Sequence, residues 1–208
     1  MNLLWARHGQ NAANLTRTLS YRVYDRGLTD TGRRQAGELA ERLAAAGAGP
    51  IGLLACSPLR RARQTAGIVG ARLGLPVGLV LDDLREVDVG DLDGRSDAGA
   101  WDTYTRVLAA WRAGDTRARF PGGEDRDELC ARLRRALAEV ARGAAGTRGA
   151  GGARSLVVAH GASLRAALPG LAGAPDPGTD LPTGGIAELR VDPGRPPHPL
   201  VELLSWPG

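Results

Sequence analysis

The chain has 208 residues, of which 43% are hydrophobic and 24% charged, as is typical of a soluble globular protein with one buried core. All 27 strongly basic residues are arginine, yet the formal net charge is only +4, because acidic residues are interspersed among them. With 4% aromatic residues and no concentrated basic stripe, the composition argues against a nucleic-acid-binding protein. No apolar stretch approaches the ~18 residues of a membrane span, so we expect no membrane partner either.

Short apolar runs alternate with helical patterns along the first half of the chain. The runs predict three buried strands, at 2–6, 51–56 and 77–81. Apolar residues at helical spacing predict a helix over 29–46, which either Thr29 or Thr31 can cap. Ser57 precedes a proline, and this pair predicts the start of a second helix that ends near Leu73.

The second half continues the alternation of strands and helices. We predict helices at 98–111 and 124–142 and strands at 155–159, 186–191 and 200–204. The Gly- and Ala-rich stretch 143–152 predicts a surface loop. This order predicts an α/β fold, a three-layer α/β/α sandwich with a largely parallel central sheet. We expect a single domain over 1–208, with 95–120 as a helical cover over the functional site.

Two of the three histidines directly follow predicted strands. His8 and His160 each stand at a strand end before a glycine, and Ser57 follows the strand between them in sequence, whereas His198 lies in a proline-rich turn. Ligands bind at the carboxyl ends of the strands in such sheets. A single strand-end histidine is more often structural than catalytic, but two matching His-Gly pairs favour a functional site. A glycine such as Gly9 also lets a bulky ligand approach the backbone.

Six segments carry a recognisable pattern in a fixed order. They are 7–10 with Asn14, 28–32 with Gln35, 57–66, 84–86 with Gly90, 121–124, and 157–161. Together they resemble the signature segments of the histidine phosphatase superfamily, which includes cofactor-dependent phosphoglycerate mutases and many small phosphatases. A bare Arg-His-Gly triplet is weak evidence, but six segments in order across most of the chain are specific.

The resemblance implies catalysis through a phosphorylated histidine, His8, and the residues suit that chemistry. A phosphoryl group carries charge on three equatorial oxygens, so its transfer needs positive clamps and an in-line nucleophile. His8 as neutral imidazole can attack phosphorus, while Arg7 and Arg61 can grip the oxygens with forks that lysine would not reproduce. His160 would add a further donor. Glu86 would protonate the leaving oxygen and then take a proton from the attacking water.

Spacing alone leaves two of these assignments open. Any of Arg60, Arg61 and Arg63 could face the site, and the resemblance selects Arg61. Glu86 competes with four aspartates, Asp82, Asp83, Asp88 and Asp91. The resemblance, in which a glycine follows the acid by four residues, selects Glu86.

We assign candidate substrate contacts to Gly9, Gln10, Asn14, Arg22 and Ala162. The resemblance implies that Asn14 contacts phosphate, although it could also be a turn residue. The chain departs from the family pattern at Gln10, where Glu is commoner, and at 181–183, which replaces a segment that often supplies an Asn. Other residues that could line or cover the site are Tyr21, Tyr24, Trp101, Tyr104, Trp111 and Arg117.

These observations predict an enzyme that hydrolyses small phosphate monoesters without a metal or another cofactor. The alternatives are phosphoglycerate mutase-type transfer and a catalytically silent phosphate-binding or interaction module. The mutases resembled are usually longer between the acid and the late helix, which favours the phosphatase. We expect a small-molecule partner, a possible homodimer, and a cytoplasmic location. The two cysteines predict neither a disulfide framework nor a zinc site, and a signal peptide would remove Arg7 and His8.

Overall fold

The sheet contains both parallel and antiparallel strands. The structure, a computed structural model, describes residues 1–45, 50–146, 154–192 and 200–207. Its strands are β1 (Asn2–Arg7), β2 (Ile51–Cys56), β3 (Val77–Val80), β4 (Arg154–Ala159), β5 (Ile186–Asp192) and β6 (Leu200–Ser205). They lie in the order β3-β2-β4-β1-β5-β6. The first four pair in parallel, and β5 pairs antiparallel with both β1 and β6. The largely parallel sheet is therefore confirmed.

Helices cover both faces of this sheet. They are α1 (Ala12–Thr16), α2 (Asp30–Ala45), α3 (Arg60–Leu73), α4 (Ala98–Arg112), α5 (Arg126–Gly146) and α6 (Gly161–Ala172). Successive side chains of β1 point to opposite faces, so Leu3 and Trp5 join the core under α4, α5 and α6, while Leu4 and Ala6 join the core under α2 and α3. The predicted α/β/α sandwich follows from this alternation. None of the described helices is both long and apolar enough to cross a bilayer.

Several local predictions need correction. Helix α3 begins at Arg60 rather than at Ser57, because Leu59 occupies the N-cap position; the Ser57 hydroxyl accepts the N–H of Leu59 at 3.3 Å and also contacts His160. The five-residue helix α1 was not predicted, since it has few apolar positions to reveal a period. Helix α5 continues through Gly146, into the predicted surface loop. The rest of that loop, and His198 with its proline-rich turn, lie outside the described residues.

The parallel strands bring their carboxyl ends to one edge of the sheet. The N–H of His8 donates to the carbonyl of Ala159 at 3.0 Å, and the N–H of Ser57 donates to the carbonyl of Val158 at 3.0 Å. Hydrogen bonding between the strands thus continues into the residues that follow them. His8, Ser57 and His160 consequently meet at the edge where the sequence placed a site.

Candidate active site

The hydrogen bonds of His8 define its tautomer. Nδ1 lies 2.7 Å from the carbonyl oxygen of Gly9, which can only accept, so Nδ1 carries the proton. Nε2 is therefore unprotonated, and its lone pair accepts a hydrogen bond from the Nε–H of Arg61 at 3.0 Å. The imidazole is 3% exposed. A neutral ring with its lone pair on Nε2 is the form that can act as a nucleophile.

The surroundings of His8 keep it neutral. Burial, and then the positive charges of Arg61 and Arg7, hold the pKa of His8 well below its ordinary value of 6.5, although the bond to Gly9 acts in the opposite direction. The arginines that suit an anionic group thus also disfavour the imidazolium.

Both arginines are fixed by oxygens of the protein. Arg61 is 2% exposed in the first turn of α3, and its guanidinium donates to the Ser20 hydroxyl at 3.2 Å and the Ser20 carbonyl at 2.9 Å. Asp25 lies 3.5 Å away and partly balances its charge. Arg7 donates to the carbonyl of Leu181 at 2.6 Å. Their positions are set before any substrate binds, which reduces the entropy lost on binding.

His160 is held differently. It is fully buried at the N-cap of α6, its Nε2 lies 2.8 Å from the Ser57 hydroxyl, and Nδ1 has no hydrogen-bond partner in the described part of the chain. Its ring centre is 5.2 Å from that of His8. Burial, and then the charge of Arg61, hold the pKa of His160 well below its ordinary value.

Glu86 binds the beginning of the helix that follows His160. Its Oε1 accepts the N–H of Ser163, the third residue of α6, at 2.7 Å and the N–H of Val87 at 3.0 Å. These two backbone N–H groups fix the position of the Glu86 carboxyl group at the start of α6. Glu86 and His160 are therefore attached to the same helix end.

Glu86 and the arginines open into one large cavity of about 730 Å³. A volume of this order suits a small-molecule ligand. Arg7, His8, Arg61 and Glu86 form one end of it. The opposite wall comes mainly from α4 and α6 and includes Trp101, Tyr104, Leu108, Trp111, Ala162, Ala166 and Pro169. Arg117, Tyr21 and Tyr24 are not in the lining, and neither is His160.

The structure distinguishes the arginines and the acids between which spacing alone could not choose. Among the three neighbouring arginines Arg61 is buried beside His8, whereas Arg60 and Arg63 are exposed. Among the five neighbouring acids Glu86 lines the cavity. Three of the aspartates bind other groups: Asp82 pairs with Arg85, Asp83 pairs with Arg135, and Asp88 accepts the N–H of Gly90.

Two of the five candidate substrate contacts, Asn14 and Ala162, line the cavity. Asn14 also completes a capping box, because its Oδ1 accepts the N–H of Asn11 while its own N–H donates to Asn11 Oδ1. Both readings of Asn14, a ligand contact and a turn residue, are therefore compatible with its position.

The other three candidates, Gly9, Gln10 and Arg22, lie outside the cavity lining. Gly9 packs against protein backbone, because a Cβ at this position would lie 2.3 Å from the backbone oxygen of Gly32. The Gln10 side chain accepts from a threonine at the start of α2. The Arg22 guanidinium lies over the ring of Tyr21, 5.2 Å from its centre.

Sequence reasoning missed the residues that hold the catalytic candidates in place. Ser20 and Asp25 bind Arg61, and Ser57 binds His160. Ser57 had a signal, since it follows a strand as the two histidines do, but we predicted it as a helix cap. The other two lie in an irregular segment without periodicity.

Comparison with known proteins identifies relatives over nearly the whole chain. A family model described as the histidine phosphatase superfamily (branch 1) matches residues 3–199. A bifunctional protein of Mycobacterium tuberculosis is 37% identical over 158 residues, which cover 76% of this chain and 40% of that protein. The chain thus spans well under two thirds of that relative.

Two further matches cover nearly the full length of this chain and of the matched protein. A 2,3-bisphosphoglycerate-dependent phosphoglycerate mutase of Methylobacterium sp. (strain 4-46) is 36% identical over 204 residues, or 91% of this chain and 92% of that protein. The solved structure of a mycobacterial glucosyl-3-phosphoglycerate phosphatase in complex with VO3 is similar with a TM-score of 0.76 and 28% identity, over 99% of this chain and 98% of that one.

Proposed function

The chain belongs to the histidine phosphatase superfamily, whose members are phosphatases or mutases, and from that premise we propose that it hydrolyses small phosphate monoesters through phosphorylated His8. The observation that carries the proposal is the Nε2 lone pair of His8, 3.0 Å from the guanidinium of Arg61 at one end of a ligand-sized cavity. A nucleophile and an oxyanion clamp are thus adjacent.

In the proposed reaction Nε2 of His8 attacks phosphorus and the P–O bond to the alcohol breaks. Arg7, Arg61 and Nδ1 of His160 stabilise the equatorial oxygens, while the Ser57 hydroxyl donates to Nε2 of His160. Glu86 gives its proton to the leaving oxygen, which departs as the alcohol. Glu86 then takes a proton from water, whose oxygen attacks the phosphohistidine, and inorganic phosphate leaves.

The lining of the cavity favours a phosphate ester whose alcohol group is partly apolar. Two cations at the far end, Arg112 and Arg165, both pair with Asp176, at 2.7 and 2.6 Å. Paired cations bind a second anion on the substrate poorly, because the carboxylate already occupies their donors. The remaining α4 and α6 wall is mostly aromatic or aliphatic. This arrangement favours a monoester over a bisphosphate.

One alternative, mutase activity, has specific support. The mutase relative covers nearly the same length, so chain length does not separate the two reactions. Arg17 also lines the cavity, 5.5 Å from the centre of the Trp101 ring, without a carboxylate partner among the described residues. A substrate carboxylate could bind there.

The test is a panel of phosphate esters with purified protein, with released phosphate measured in H2¹⁸O. We expect one labelled oxygen in each phosphate and an acid-labile, base-stable phosphoenzyme on His8. Parallel incubation of 3-phosphoglycerate with 2,3-bisphosphoglycerate detects the mutase through 2-phosphoglycerate. Formation of 2-phosphoglycerate faster than release of phosphate would identify the protein as a mutase instead of a phosphatase. No turnover of any ester would favour the catalytically silent module.

A further inference from the structure

A buried arginine of α5 binds the segment that carries Glu86. Arg132 is 9% exposed, and its guanidinium donates at 2.8 Å to the backbone carbonyls of Asp83, Arg85 and Glu86. Its remaining donors bind both carboxylate oxygens of Glu124, at 2.7 and 2.8 Å. All five N–H groups of this guanidinium therefore have acceptors.

Glu124 connects the same guanidinium to the end of the acid segment. Its Oε1 accepts the N–H of Asp88 at 2.8 Å, and its own N–H donates to the carbonyl of Asp88 at 3.0 Å. Glu124 is 7% exposed, so this ion pair is shielded from solvent. The backbone from 83 to 88 is thus fixed on the side away from the cavity, while the Glu86 side chain reaches the cavity lining.

We propose that Arg132, with Glu124, is a positioning residue that sets where the Glu86 carboxyl meets the leaving oxygen; this rests on the proposed function. The segment between β3 and α4 has only two three-residue 3-10 turns, at 82–84 and 90–92, so the hydrogen bonds from Arg132 and Glu124 fix the backbone between these turns. Proton transfer requires the acid within hydrogen-bond reach of the leaving oxygen, and an error of 1 Å can cost about 100-fold in rate.

The experiment measures single-turnover phosphorylation of His8 by two esters. Nitrophenyl phosphate needs little protonation of its leaving group, and an alkyl phosphate needs much. Glu86→Gln calibrates the assay and should impair the alkyl ester far more than the aryl ester. We expect Arg132→Lys, which lacks the planar fork, to lower the alkyl rate about 100-fold and the aryl rate about threefold or less.

The matched control is Arg135→Met. Arg135 lies on the same helix and binds the same segment, but its exposed guanidinium pairs with the side chain of Asp83 rather than with the backbone. Its loss should leave both rates within twofold. Glu124→Gln provides a second variant if Arg132→Lys does not fold, and we expect it to show the same preference for the aryl ester.

Four results would overturn the inference. Equal losses for both esters would mean that Arg132 only supports the fold, and unchanged rates would mean that it is dispensable. Failure of Glu86→Gln to discriminate the esters, or absence of phosphohistidine in the unmodified protein, would instead refute the proposed function itself and this inference with it.

Discussion

The two strand-end histidines are almost equivalent in sequence, but the structure gives them different surroundings. His8 donates from Nδ1 to its neighbouring carbonyl and keeps an Nε2 lone pair at the cavity. His160 binds Ser57 through Nε2, and it is Nδ1 that has no partner among the described residues. The same His-Gly pair thus leaves Nε2 directed to the cavity side in one place and holds Nε2 against a serine hydroxyl in the other, because different groups contact the two rings.

The largest expected effect is the loss of turnover on removal of the His8 imidazole. His8→Ala should lower turnover at least about 1,000-fold, because only binding and electrostatic stabilisation remain. The measurement is steady-state phosphate release, with phosphoenzyme trapping in parallel, and the variant should show no acid-labile label. Turnover within tenfold of the unmodified protein would contradict the role of His8.

A smaller loss is expected at the second histidine. His160→Gln should lower the phosphorylation rate about 100-fold, as removal of one oxyanion donor does, while His8 still becomes phosphorylated. Ser57→Ala, which removes only the partner of His160, should cost about tenfold or less. If His160→Gln instead abolished the phosphoenzyme and His8→Ala retained it, the two assignments would have to be exchanged.

The two histidines should also make stability depend on pH. The folded state holds the pKa of both below the unfolded value of about 6.5, so the unfolded chain binds more protons in acid. Stability should therefore be fully present above pH 6.5 and fall as the pH drops below it, by up to about 1.4 kcal/mol per pH unit for each histidine.

Urea unfolding at pH 7.5, 6.5 and 5.5 measures this slope. The double variant with glutamine at both positions is the control and should show a flatter dependence. A constant free energy of unfolding of the unmodified protein over this range would contradict the lowered pKa values.

The smallest expected effect is that of metal removal. No group of three His, Cys, Asp or Glu side chains arranged to hold a metal occurs in the ranges that the structure covers. If phosphate is bound by arginine and histidine as proposed, dialysis against a chelator should change turnover less than about twofold. Loss of activity that a divalent ion restores would contradict the mechanism.

The sequence was sufficient to predict the sheet and the edge where the histidines meet. Apolar runs locate strands because both faces of a parallel sheet are buried, and the site follows from the strand ends. The glycine that aligned Glu86 also has a physical reason. Gly90 has a φ of 53°, and a Cβ there would lie 2.2 Å from the backbone oxygen of Pro121.

The residues that hold the site could not be predicted in the same way. Arg132 stands in a helix beside Arg134 and Arg135, and nothing local distinguishes it from them. Its role depends on backbone carbonyls nearly 50 positions away, which the packing of the helix brings to it. Gly9 was predicted as a place where a ligand approaches the backbone, whereas the fold brings the backbone of Gly32 against it.

That contact has a consequence for engineering. A Cβ on Gly32 would lie 2.0 Å from the backbone oxygen of Gln10, and one on Gly9 would meet Gly32 in turn, so backbone touches backbone at both positions. Neither neighbour can rotate away as a side chain would. A directed-evolution library for new ester selectivity should therefore leave both glycines unchanged and vary the cavity-facing positions of α4, such as Tyr104 and Leu108, where the cavity gives new side chains room.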